Sequence, residues 1–143
     1  MKRKTSKSGF SIIEKWEKFR PKAYQDAVGK WTIGYGHTRT AFKGMPDITL
    51  GQAAILLRSD VEIAEAYVNR HFKNLRQCQF DAVVSLVFNV ESLSGTHLFD
   101  LLQTDPESKY VADEWIEFRN AGGKYFRGLM RRRLDELSLY FSW

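Results

Sequence analysis

The chain has 143 residues and a mass of 16.6 kDa, with 43% hydrophobic and 14% aromatic side chains. That supports one packed core and excludes wholesale disorder. A lone cysteine, Cys78, excludes an internal disulfide framework, and no apolar run approaches the ~20 residues of a membrane-spanning helix. The formal net charge of +5 favours polyanionic surfaces (nucleic acid, anionic lipid or bacterial cell wall) without choosing among them.

Met1–Ser8 is polar and basic, like the n-region of a signal peptide. The apolar run that should follow stops at Glu14, so no secretory signal and no anchor are expected, and a role beyond the cytoplasm would need an external export route. Residues 1–9 are expected to form a flexible basic arm and 10–143 a single domain. From Phe10 to Phe19, the spacing of Ile12, Ile13, Trp16 and Phe19 predicts a helix ended by Pro21. Ala23–Asp26 and Lys30–Ile33 read as two short strands around a three-residue loop ending in Gly29.

Everything after Ile48 reads as helix. Thr49 and Gln52 form a capping box that opens a helix to about Arg70, with Ala53, Leu56, Leu57, Val61, Ala64 and Val68 on one face. The near-continuous apolar run Ala82–Phe88 predicts a central buried helix over 79–89. A short helix follows from Gly95-Thr96 to Leu102. An amphipathic one spans 109–120, broken by Gly122-Gly123, and a last one spans 129–141. The whole reads as an α+β fold, a small β-hairpin region on a mainly helical lobe with a cleft between.

One set of residues stands out. Glu17 falls on the last turn of the first helix, Asp26 at the end of the first strand and Thr32 on the second strand. Strand alternation puts Tyr24, Asp26, Lys30 and Thr32 on one face of the ribbon, with Asp26 and Thr32 about 5–8 Å apart. Two carboxylates facing across a gap suit glycosidic hydrolysis, one giving a proton and the other staying ionised. Ile13 and Trp16 give Glu17 apolar neighbours that suit the acid role, and the Thr32 hydroxyl suits water holding. Glu14 is a rival acid on the same helix, and it could instead pair with Lys18. Neither Cys78 nor His37, His71 and His97 has metal-type spacing, so no metal and no cofactor are expected.

The segment from Glu17 to Thr38, with its acid–Asp–Thr spacing and its Thr-Ile-Gly-Tyr-Gly-His string, resembles the signature of the bacteriophage-type lysozymes, the endolysin muramidases. The likeness continues through Ile48-Thr49, Gln79–Ala82, Phe88–Val90, Ala121–Lys124 and Gly128–Arg133, covering about Ile12 to the C-terminus. It implies a lysozyme-like fold and cleavage of the β-1,4 bond between N-acetylmuramic acid and N-acetylglucosamine in peptidoglycan. Glu17 becomes the general acid, Asp26 the second carboxylate and Thr32 the water holder, with an inverting outcome. His37 and Asp60 fall where the family has an ion pair tying the hairpin to the long helix. Tyr24, Trp31 and Arg131 are candidate substrate contacts. One of Arg131–Arg133 could point at the cleft and meet Glu17 or the peptide carboxylates.

Two positions depart from the family pattern. Lys18 and Glu91 each stand where the family usually or often has glycine, and the segment 39–47 is short. Lys18 is expected to face solvent, about 100° around the helix from Glu17. The departures keep a second reading open, that of a weakened lysozyme-fold module that binds or scaffolds peptidoglycan. A nucleic-acid binder is not expected, because the basic residues gather on no recognition helix. The protein is expected to be a monomer without stable membrane insertion. It would reach the wall through a holin or a secretion machine.

Overall fold

A computed structural model describes residues 2–142. The elements in chain order are α1 (Lys7–Glu17), β1 (Arg20–Gln25), β2 (Trp31–Gly34), α2 (Leu50–His71), α3 (Gln77–Val90), α4 (His97–Thr104), α5 (Val111–Trp115), β3 (Asn120–Ala121), β4 (Lys124–Tyr125) and α6 (Arg127–Tyr140). β1 and β2 form one antiparallel ribbon, and β3 and β4 form a second.

The core lies around α3, which is buried from Gln79 to Val87 and packs against α1, α2 and α6. That burial on all sides is why its sequence is almost continuously apolar. Leu57, Val61, Ala64 and Val68 supply the apolar stripe of α2. Trp115 and Tyr140 close the far side, with ring centroids 5.1 Å apart. α2 starts at the expected capping box: Gln52 N donates to Thr49 Oγ1 and Thr49 N to Gln52 Oε1. No helix of the described residues is long and apolar enough to cross a membrane.

Three segments differ from the sequence expectation. Lys7–Gly9, expected in a flexible arm, are helical, and the residues before them are tied down. Thr5 N donates to Glu65 Oε2 and Ser6 N to Asp81 Oδ1, at 2.6 and 2.9 Å. Buried carboxylates on α2 and α3 therefore supply the partners that local sequence could not show. α1 ends at Glu17, short of Phe19, because Lys18 leaves the helical region at φ 58°. Pro21 then lies inside β1, where an edge strand tolerates a missing N–H, and its carbonyl accepts from Ile48 N. Gly122 and Gly123, both at positive φ, form the two-residue turn of the β3–β4 hairpin, so α5 covers only part of the expected 109–120 helix.

Candidate active site

The β1–β2 ribbon has the register deduced from sequence at its tip. Tyr24 pairs with Thr32, and Asp26 N donates to Lys30 O across the three-residue loop. Asp26 Oδ1 accepts from Val28 N and Lys30 N at 3.0 and 2.8 Å. Two backbone donors on one oxygen fix the carboxylate and leave the second oxygen unclaimed by them.

Glu17 is the last residue of α1, where the chain turns into β1. Its carboxylate lies in polar surroundings rather than the apolar ones expected from Ile13 and Trp16. Trp16 turns away to donate its indole N–H to Asp135. Arg132 Nη1 donates to Glu17 Oε2 at 2.6 Å. On the other side the loop passes close at Gly36, where a Cβ would lie 2.6 Å from Glu17 Oε1 and where φ 78° favours glycine.

Glu17 and Asp26 line one cleft of about 1000 Å³. Its walls also include Lys30, Thr38 and Arg39, the stripe Ser59–Asp60, Glu62–Ala64, Ala66-Tyr67 and Arg70 along α2, and Val87–Asn89 with Glu91 at the end of α3. Thr32 is buried within β2 and is not among the cleft-lining residues; its hydroxyl donates to Lys30 O at 3.0 Å, so toward any further partner it presents its acceptor lone pairs. Glu14 is exposed on α1 and does not line the cleft.

His37 is buried, with Nδ1 2.8 Å from Asp60 Oδ2 and Nε2 2.6 Å from Thr40 Oγ1. Asp60 Oδ1 takes two bonds from the Arg39 guanidinium. The loop after β2 is thereby joined to α2.

The other sequence candidates fall outside the cleft lining. Tyr24 and Trp31 are half-buried on the ribbon, and the Arg20 guanidinium stacks 3.7 Å over the Tyr24 ring. Arg131 is exposed on α6. The arginine that meets Glu17 is Arg132, because one step along a helix turns the side chain by about 100° from solvent into the core.

Behind Arg132 lies a buried charged group that the sequence did not single out. Glu136, fully buried, accepts from Ser85 Oγ, Trp115 Nε1 and Arg133 Nη2 at 2.6, 3.1 and 3.0 Å. Arg132 Nε lies 3.4 Å from the same carboxylate, and Arg132 Nη2 donates to Ser85 O. Arg133 Nη1 donates to Asn89 Oδ1 and Phe118 O. Burial pulls the Arg133 guanidinium below its ordinary pKa, and Glu136 opposes that shift. Tyr67, on the cleft wall, is pushed up by burial, but hydrogen bonds with Ser92, Ser94 and the Leu93 backbone outweigh this and leave it below its ordinary value.

Glu91, at the α3 end of the cleft, has φ 74° and ψ −43°. Ser92 N donates to Val90 O across it, a γ-turn of the strained hand. Lys18 and Glu91 are the two non-glycine residues at positive φ among the described residues. They are also the two positions at which the resemblance leads to an expectation of glycine.

The family model for phage lysozyme matches residues 14–136. The chain belongs to the phage lysozyme family. An endolysin of Acyrthosiphon pisum secondary endosymbiont phage 1 is 36% identical over 143 residues, covering 96% of this chain and 97% of that one. An endolysin of Bacillus phage PZA is 34% identical, and its match covers 96% of this chain and 55% of the longer relative. Among solved structures, the muramidase domain of SpmX from Asticaccaulis excentricus superposes with a TM-score of 0.86 at 33% identity, covering 98% and 99% of the two chains. The active form of the P1 phage endolysin Lyz gives 0.83 at 28% identity, covering 94% and 83%. The α+β architecture is lysozyme-like, and Glu17, Asp26 and the His37–Asp60 pair lie within the matched residues.

Proposed function

We propose that the chain is a peptidoglycan hydrolase that cleaves the β-1,4 bond between N-acetylmuramic acid and N-acetylglucosamine. The observation that carries this reading is the pair of carboxylates, Glu17 and Asp26, lining one open cleft. Glu17 is the proton donor to the leaving glycosidic oxygen. Arg132 and the close approach of Gly36 fix its direction. Asp26, oriented by Val28 N and Lys30 N, is the base that takes a proton from water. Thr32 Oγ1, its own proton engaged by Lys30 O, accepts the other hydrogen of that water. Attack from the face opposite the leaving oxygen inverts the anomeric centre, so the first product is the α-anomer. Endolysins among the relatives support action on the cell wall. We propose that a monomeric protein reaches it by holin-type or machine-dependent release.

Mass spectrometry of the fragments released from purified sacculi identifies the bond. NMR of fresh product identifies the anomer. Muropeptides with reducing N-acetylmuramic acid ends are expected, and Glu17→Gln should release none while staying folded, at a lower melting temperature because Arg132 loses an ion-pair partner. Wild-type protein that binds sacculi and releases nothing would instead make the chain a glycan-binding module.

A further inference from the structure

A second hollow, of about 570 Å³, lies where residues 2 and 3 cross the C-terminal part of α2. Phe72, Leu75 and Phe80 give it an apolar floor, and its cations are Lys2, Arg3, Arg70 and Lys73. None of the four is ion-paired among the described residues, and no acidic residue lines the hollow. Its wall is built: Arg3 N and O both bond the Asn69 side chain, Arg3 Nη1 donates to Gln77 Oε1, and Gln77 Nε2 donates to Lys4 O. Four like charges gathered at one hollow repel one another and favour an anionic occupant.

The hollow adjoins the cleft along α2, where Ala66 and Arg70 line both. Arg70 lies ten residues beyond Asp60 on α2, about 15 Å along the helix axis. A peptide of four or five extended residues spans about 13–18 Å. We propose that this hollow receives the carboxylates of the peptide stem carried by a muramic acid of the strand in the cleft. The proposal rests on the muramidase reading and makes the substrate a stem-bearing glycan. An anionic lipid headgroup shares the charge, but it does not account for a concave site adjoining the cleft.

The test compares the full chain with a Lys2→Gln/Lys73→Gln double variant, two residues outside the cleft lining. The substrates are sacculi with intact stems and sacculi stripped of stems by an amidase, both at low salt. Loss of two exposed charges should raise KM on stem-bearing glycan roughly 2- to 20-fold and leave kcat within about two-fold. On stripped glycan the two proteins should be alike. An equal loss on both substrates, or no loss on the stem-bearing one, overturns the proposal. Loss confined to vesicles of phosphatidylglycerol overturns it in favour of a lipid surface. Retention of the Glu17→Gln protein on the two kinds of sacculi gives a readout independent of cleavage. Equal retention refutes the hollow, whereas wild-type protein that releases no fragments refutes the hydrolase.

Discussion

Replacing Lys18 by glycine should stabilise the protein. Lys18 sits at φ 58°, ψ 142°, close to a backbone region that residues with a Cβ almost never occupy. Holding a side-chain-bearing residue there costs about 1–3 kcal/mol. Glycine removes that strain but frees the unfolded chain, which offsets about 0.5–1 kcal/mol. The balance is a gain of about 0.5–2 kcal/mol, or roughly 2–6 °C in melting temperature for a domain of this size. The Lys18 side chain is exposed, so little packing is lost, and its backbone N–H still reaches Glu14 O. Urea and thermal denaturation of the wild type, Lys18→Gly and Lys18→Ala separate the contributions. Alanine keeps the Cβ and should show none of the gain. Turnover on sacculi should stay within about two-fold, since an exposed charge is screened by salt. A Gly variant no more stable than the Ala variant would refute the strain argument.

Asp26→Asn should cut turnover at least about 100-fold with little change in stability, because an amide cannot take the proton from water. Wild-type rates in that variant on sacculi would sink the two-carboxylate mechanism. His37→Ala and Asp60→Ala should each destabilise the fold, and a double-mutant cycle by urea denaturation should give a coupling of about 1–3 kcal/mol. Strictly additive losses would show that the 2.8 Å contact carries no energy. Arg132→Met should cost about 3–5 kcal/mol, since it leaves the Glu136 and Glu17 carboxylates short of their cation in a buried setting. A melting curve close to wild type would mean that the buried charges are held by Arg133 alone.

The elements most legible in the sequence were those set by local chemistry. The Thr49–Gln52 capping box, the three-residue loop at Ala27–Gly29 and the apolar run of α3 each specify their structure within a few residues. The parts less legible were decided by partners far along the chain. Residues 3–6 look like a fraying tail until Glu65 and Asp81 are brought beside them. Gly122-Gly123 signals a break equally well for a helix end or a hairpin, and only pairing of Asn120 with Tyr125 distinguishes the two. In the site, spacing was enough to nominate Glu17 and Asp26, with the His37–Asp60 contact coming from the family resemblance. It could not rank Arg131 against Arg132, because a run of three arginines on one helix turn has no internal marker of which one faces inward.

That ambiguity has a physical root. Arg132, Arg133 and Glu136 lie at helical spacing on α6 and look like the solvated face of a surface helix, yet all three are buried. Burying a charge is costly unless it is paired and fully hydrogen-bonded. Here the compensation comes from outside the helix: Ser85 and Asn89 on α3, Trp115 on α5, the Phe118 carbonyl and Glu17 at the end of α1. Two arginines face Glu136 and Glu17 in this group. The last partner ties this interior pairing to the cleft, since the carboxyl group that Arg132 meets is also the one placed toward the sugar linkage. A change in how α6 packs on α3 is therefore passed to the Glu17 carboxyl through the Arg132 guanidinium, and to the end of α1 through Asp135, which Lys15 and Trp16 bond. Asp26, held by the backbone of its own loop, is insulated from that change. The two carboxylates are positioned by different means, one by the helical core and one by a turn, and the cleft lies where those two frames meet.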